Sequence, residues 1–213
     1  MSSWYEHMPE WQFMRWDESN FSMAEAPLYV RQAYDAHKYA FVSDYVRLWA
    51  MEQYGGVYLD TDVKVVKSFE PLLADTAFIG MEESKAQLPG TCVMGCEPHC
   101  RWVQDMLALY DGICFIREDG SLDLTTNVQR LGAQMKAAGL KPFIEKWGLR
   151  IYPYQYFSPI TSTRVMRKTA DTYAIHYYAG TWTDTPKKVK WREWTITREF
   201  VNLLVQIKRA VSR

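Results

Sequence analysis

Two aspartates, Asp60 and Asp62, stand two residues apart at the end of the apolar run in GGVYLDTDVKVV (55–66). Side chains two apart on a strand point to the same face, so these carboxylates are expected on one face, about 7 Å apart by Cα geometry. Like charges that close are unfavourable unless a cation lies between them. The pattern therefore predicts a divalent cation held by carboxylates, with ligand phosphates completing its shell.

Other interpretations of this aspartate pair depend on the residues around it. An EF-hand calcium loop is rejected, because Val63, Lys64 and Val65 stand where a third ligand and a glycine are needed. A haloacid-type phosphatase also ends a strand with two aspartates, but it has Thr or Val where this chain has Lys64. The phosphatase therefore stays open as a weaker alternative. A solvated edge strand without a function is the structural alternative, although the preceding VYL lacks the alternation of apolar and polar residues typical of such a strand.

A second charged pair, Asp44 and Arg47 in SDYVR, is spaced i,i+3 and lies on one face of a predicted helix. Ala40 and Ser43 extend that stripe with small side chains, which leaves room for a ligand. Such pairs are commonly solvated surface ion pairs worth about 0.2–0.5 kcal/mol. The strongly apolar remainder of this helix favours a pair that lines a pocket.

His176 in AIHYYAGTW is the third candidate, because a neutral imidazole is a good ligand for manganese. A hydrogen-bonded core histidine is the alternative. Lys187 and Lys188 follow Pro186 closely and either face phosphates or belong to a solvated loop.

Composition bounds these hypotheses. The 213 residues suffice for one domain with a sizeable core, and 25 Lys plus Arg against 25 Asp plus Glu argue against a global attraction to nucleic acid.

The cysteine spacing C-x3-C-x3-C (92–100) is not a common metal spacing, so buried thiols are expected. No secretory signal and no run of eighteen apolar residues is visible, so we expect a cytoplasmic protein without a transmembrane helix.

Strands and helices alternate along the chain, which predicts a layered α/β domain. The predicted strands lie at 11–16, 57–60, 64–68, 77–83, 91–96, 149–153 and 172–180. The predicted helices lie at 27–39, 40–54, 98–112, 125–139 and 191–213. Gly55 and Gly139 stand where helix terminators are expected, and a Thr of TTN (125–127) stands where an N-cap is expected.

Taken together, these residues resemble glycosyltransferase family 32, the DXD sugar-binding-region group that includes mannosyltransferases and capsular polysaccharide enzymes. The site is also similar to that of the large glucosylating bacterial toxins. The stretches that carry the resemblance are YAFVSDYVRLWAMEQYGGVYLDTDV, DGSLDLTTNV and TYAIHYYAGTW. Their order and spacing match, from about residue 10 to residue 185.

The resemblance implies a GT-A fold with a mixed sheet. It also implies Mn²⁺- or Mg²⁺-dependent transfer from a nucleotide-diphosphate sugar, with retention of configuration, to a glycan or lipid-linked glycan. The resemblance implies that Asp44 and Arg47 bind the donor sugar and that Tyr58 contacts the donor. It implies that Asp62 binds the metal directly, that His176 completes the metal shell, and that Asp60 assists the metal and contacts ribose or sugar. It also implies that Trp182 contacts the diphosphate and that Asn127 contacts the reacting sugar or the acceptor. Lys187 is assigned to the donor phosphates by its position.

Both ends of the chain raise separate expectations. Family members open with a strand like IPKIIHYCWFG that lines the base pocket, and nothing here matches it, so the first strand is expected to be missing. A non-catalytic or truncated nucleotide-sugar-binding module is therefore the alternative from another class. Residues 1–190 are assigned to the transferase domain and 191–213 to an amphipathic basic helix, which either packs on the domain or touches an anionic membrane.

Overall fold

The computed structural model of the protein describes residues 1–82, 88–139, 144 and 146–178. Helices in these ranges are α1 (Ser2–His7), α2 (Leu28–Asp35), α3 (Tyr39–Tyr54), α4 (Arg101–Leu107) and α5 (Asn127–Ala138). Strands are β1 (Gly56–Leu59), β2 (Val63–Val65), β3 (Ala77–Met81), β4 (Pro89–Cys96), β5 (Leu149–Tyr152) and β6 (Ala174–His176). None of the described helices has the length and apolar character needed to cross a membrane. Trp182, Lys187, Lys188 and the helix predicted over 191–213 lie outside the described residues.

A mixed four-stranded sheet with the order β1-β4-β3-β5 forms the centre of the fold. Strand β4 runs antiparallel to both of its neighbours, whereas β3 and β5 are parallel. A second, antiparallel pair joins β2 to β6 and sets Val63 opposite His176. The predicted α/β class with a mixed sheet is confirmed.

Two hydrophobic cores cover the two faces of β1. Tyr58 belongs to the core that includes Val42 and Val46 of α3. Val57 and Leu59 belong to the other core, which includes residues from α1 and β2. Because alternate side chains of a strand point to opposite faces, the apolar run of β1 is explained by burial on both sides.

The turn from α3 into β1 depends on glycine at position 55. Gly55 ends α3 with φ +66°, and its N–H donates to the carbonyl of Met51 at 2.8 Å. A Cβ at this position would lie 2.5 Å from the backbone nitrogen of Pro98. Glycine therefore provides both the left-handed backbone and the close approach, as the sequence predicted for a helix terminator.

The prediction of a strand over 11–16 is wrong, because this segment forms no strand. Trp11 is 9% exposed and packs in the core that contains Val57, while Trp16 is 3% exposed and packs in the core that contains Tyr58. Trp11 and Trp16 form only isolated bridges, and burial of their indole rings holds the segment in place. The helix predicted over 98–112 is also shorter than expected, since α4 ends at Leu107 and a 3₁₀ turn follows over Ala108–Tyr110.

Asp105 of α4 fixes this helix to the segment that precedes β5. Its carboxylate accepts hydrogen bonds from Arg101 Nε at 3.1 Å, Lys146 Nζ at 2.7 Å and Trp147 Nε1 at 2.8 Å. Burial opposes ionisation of the carboxyl, but these donors lower the pKa of Asp105 to about 2.

The cysteines behave largely as expected. Cys92, Cys96 and Cys100 are buried free thiols, and Cys114 is an exposed one.

Candidate active site

The two aspartates lie in the turn that joins β1 to β2. Strand β1 ends at Leu59, the Asp60 N–H donates to the carbonyl of Cys92 at 2.9 Å, and the Val63 N–H donates to the carbonyl of Asp60 at 3.0 Å. The expectation that both carboxylates share one face of a strand is therefore wrong. They converge because the chain reverses between them.

His176 completes a cluster with this pair. Asp60, Asp62 and His176 each offer a ligand atom, and these atoms lie within 4.8 Å of one another. The pairing of β2 with β6 brings the imidazole there, and its Nε2 is 3.2 Å from Asp62 Oδ1. The structure thus meets the expectation that Asp62 and His176 come within reach of one ion, whereas their role as metal ligands stays a prediction.

The chemistry of the ligand atoms in this cluster fits a divalent cation. His176 is 9% exposed, and its Nε2 is the ring nitrogen that faces the Asp62 carboxylate. Burial opposes protonation of this imidazole, yet the Asp62 carboxylate holds the pKa of His176 well above its ordinary value. Carboxylate oxygens with one imidazole suit manganese or magnesium, and metal binding requires the imidazole to lose its proton.

Arg47 connects the aspartate turn to α3, and its side chain is 7% exposed. Its Nε donates to the carbonyl of Ser43 at 3.2 Å, and one terminal nitrogen reaches the hydroxyl of Ser43 at 3.2 Å and Asp44 Oδ1 at 3.3 Å. The other terminal nitrogen reaches the carbonyl of Thr91 at 3.1 Å and Asp60 Oδ1 at 3.2 Å. An arginine has five N–H donors, and these five contacts match that number. Arg47 therefore bridges Asp44 and Asp60, and the contact with the donor sugar expected of it stays a prediction.

Tyr58 also contacts the Asp60 carboxylate. Its hydroxyl donates to Asp60 Oδ1, and the guanidinium of Arg47 lies 4.5 Å from the centroid of its ring. Burial raises the pKa of Tyr58 well above its ordinary value, so the hydroxyl remains a donor. Among the described residues, the side-chain contacts of Asp60 go to Oδ1, which leaves Oδ2 for a cation or a ligand hydroxyl.

Asn127, the first residue of α5, contacts Asp44 from the opposite side. Its backbone N–H donates to Asp44 Oδ2 at 2.9 Å, and its side-chain amide donates to the Asp44 carbonyl at 2.6 Å. The amide oxygen of Asn127 accepts from the Tyr110 hydroxyl at 2.7 Å, and the residue is 1% exposed. Its amide thus has protein partners at both ends, its remaining donor and acceptor capacity is buried, and the expected contact with the sugar or acceptor stays a prediction. Thr126 caps α5 in a capping box, which confirms the expected Thr cap.

Two residues near this cluster were missed by the sequence analysis. Glu82 directly follows β3; burial raises its pKa, and its charge interacts with those of His176 and Asp60. Cys92 lies beside His176, with its Sγ 3.3 Å from Ser158 Oγ. An acid at the end of a buried strand is a signal that could have identified Glu82, whereas nothing in the local sequence distinguishes Cys92 from an ordinary buried thiol.

The layered α/β fold, its mixed four-stranded sheet and the carboxylate cluster after β1 are consistent with a GT-A-like glycosyltransferase domain. A family model described as the glycosyltransferase sugar-binding region containing the DXD motif matches residues 1–79. That range includes Asp44, Arg47, Tyr58, Asp60 and Asp62, and the match supports glycosyltransferase activity in general terms. No curated protein and no solved structure matches the chain.

Proposed function

We propose that this protein is a metal-dependent, retaining glycosyltransferase. It transfers a sugar from a nucleotide-diphosphate sugar to a glycan or lipid-linked glycan acceptor. The observation that carries the proposal is the convergence of ligand atoms of Asp60, Asp62 and His176 within 4.8 Å, with both aspartates inside the segment that matches a DXD sugar-binding region.

The cluster suits the charge that develops in such a reaction. Cleavage of a glycosyl phosphate passes through an oxocarbenium-like transition state, so negative charge grows on the diphosphate. A divalent cation held by Asp62, His176 and Asp60 would neutralise that charge. Arg47 and Tyr58 fix Oδ1 of Asp60 and so keep its other oxygen directed at the ligand.

Asp44 is proposed to position the donor sugar. A carboxylate can accept about four hydrogen bonds, and the contacts described for this one are one to Arg47 and one to the Asn127 N–H. The remaining lone pairs can accept from sugar hydroxyls and hold the anomeric carbon in place. The bond from that carbon to the acceptor oxygen forms on the face from which the phosphate leaves, and the acceptor proton passes to the departing phosphate oxygen.

The test is release of nucleoside diphosphate from a panel of uridine- and guanosine-diphosphate sugars in the presence of Mn²⁺. We expect release from at least one donor, and a loss of at least about 100-fold in Asp62→Asn. Asp119→Asn is the matched control, because Asp119 is exposed in a turn where its carboxylate accepts from Ser121.

Other outcomes of this assay separate the alternatives. Binding of a nucleotide-sugar without release identifies a non-catalytic binding module. Hydrolysis of simple phosphate esters without any nucleotide-sugar identifies the phosphatase. Equal activity in Asp62→Asn and Asp119→Asn contradicts the assignment of the cluster.

A further inference from the structure

A basic hairpin, defined here as residues 159–168, leaves the candidate active site and ends in solvent. Its preceding residues are anchored at the site, since Phe157 accepts from the His176 N–H at 3.1 Å and Ser158 contacts Cys92. Ile160 pairs with Met166 across an antiparallel bridge, and Ile160 is 5% exposed. The base of the hairpin is therefore buried against the domain.

Hydrogen bonds give the tip of the hairpin a defined shape. Thr161 donates its N–H to the carbonyl of Val165 at 2.9 Å, and its hydroxyl accepts from the Val165 N–H at 3.0 Å. The Arg164 N–H donates to the carbonyl of Thr161 at 2.8 Å, and the Arg167 N–H donates to that of Pro159 at 2.7 Å. Arg164 turns the chain with φ +64°. The tip is thus presented as an ordered element.

The tip combines cations with apolar side chains. Arg164, Arg167 and Lys168 are exposed, and none forms an ion pair with a carboxylate of the described residues. Val165 and Met166 between them are 44% and 43% exposed. No acidic residue occurs from 157 to 170, and the formal net charge of the whole chain is +0. Attraction of this protein to an anionic partner must therefore come from a local patch such as this one.

We propose that the basic hairpin docks on the surface of an anionic lipid bilayer. The cations meet lipid phosphates, while Val165 and Met166 enter the boundary between headgroups and acyl chains. Nucleic acid fits less well, because the segment has no aromatic ring to stack on a base and a phosphate backbone offers nothing to the two apolar side chains. The inference does not depend on the proposed reaction. It would set the candidate active site beside the bilayer surface.

The test is cosedimentation of the full chain with vesicles of phosphatidylserine and phosphatidylcholine. The double variant Arg164→Glu, Arg167→Glu is compared with Arg31→Glu, Lys136→Glu, which makes the same change of charge at exposed positions on α2 and α5. We expect the hairpin variant to lose about ten-fold or more of its partitioning. The control variant should partition like the unmodified protein.

A second pair of variants separates charge from insertion. Val165→Asn with Met166→Gln keeps every charge and every backbone hydrogen bond of the tip, and we expect it to weaken partitioning several-fold. If circular dichroism shows that the glutamate variant fails to fold, Arg164→Gln with Arg167→Gln replaces it in the cosedimentation assay. Three results would overturn the proposal: equal loss in the hairpin and control variants, equal binding to pure phosphatidylcholine, or retention by single-stranded RNA without vesicle binding.

Discussion

Replacing Arg47 by alanine leaves Asp44 and Asp60 without the guanidinium that bridges them. The side chains of these aspartates are 13% and 24% exposed, so little solvent reaches either carboxylate to replace the lost partner. The carbonyls of Ser43 and Thr91 lose donors as well. The structure therefore predicts a large loss of stability as well as of activity.

The magnitude follows from the burial of this network. Removing one partner of a buried ion pair costs about 3–5 kcal/mol, because the remaining charge is left uncompensated. For a protein of this size, that free energy corresponds to a fall of about 6–20 °C in the melting temperature. Arg47→Lys keeps a charge but has three donors instead of five, so we expect a smaller loss than in Arg47→Ala.

The assay is thermal unfolding followed by circular dichroism, with Arg101→Ala as the control. Arg101 also donates to an aspartate, at 3.1 Å, but its side chain is 73% exposed. An exposed pair of this kind is worth about 0–1 kcal/mol. If Arg47→Ala melts within about 4 °C of Arg101→Ala, the guanidinium does not hold the two carboxylates in the way described here.

Three further predictions test separate parts of the structure. The pKa of Asp105 in the folded state is lowered to about 2, so its contribution to stability is present above pH about 4 and is lost as pH falls toward 2. Asp105→Asn should therefore reduce the dependence of the melting temperature on pH between about 4 and 2. An unchanged pH dependence in this variant contradicts the prediction. Tyr58→Phe removes the hydroxyl that holds Asp60 and should weaken Mn²⁺ binding by about 10- to 100-fold in a calorimetric titration, whereas unchanged affinity would show that the hydroxyl has no such role. Gly95→Ala would place a Cβ 2.1 Å from the buried ring of Phe78, and urea unfolding should show a loss of about 1–3 kcal/mol, with no loss if the ring can move aside.

Local sequence signals predicted the elements that position the site. Gly55 between an apolar helix and an apolar strand indicated the turn that α3 and β1 make, and TTN indicated the capped start of α5. These signals depend on neighbouring residues and on backbone preferences, which explains their reliability here. The segment 11–16 failed because the same aromatic residues favour both strands and buried contacts.

Contacts between distant residues could not be obtained in that way. Arg47 and Thr91 are 44 residues apart, and Asn127 and Asp44 are 83 apart. The i,i+3 spacing in SDYVR brought Arg47 to attention, but whether its donors point to a ligand or to the protein depends on how β4 packs against α3. Cys92 of β4 also lies beside His176 of β6, and nothing in the local sequence indicates this contact.

Binding of Mn²⁺ to the cluster tests the central claim most directly. Loss of the free-ion signal in electron paramagnetic resonance can be followed on adding protein, with and without uridine or guanosine diphosphate. The unmodified protein and Asp119→Asn should bind one ion, more tightly when a nucleoside diphosphate is present. Asp62→Asn and His176→Ala should each bind at least about ten-fold more weakly. Equal binding by all four proteins, or no binding by the unmodified protein, would contradict the assignment of Asp60, Asp62 and His176 as a metal site.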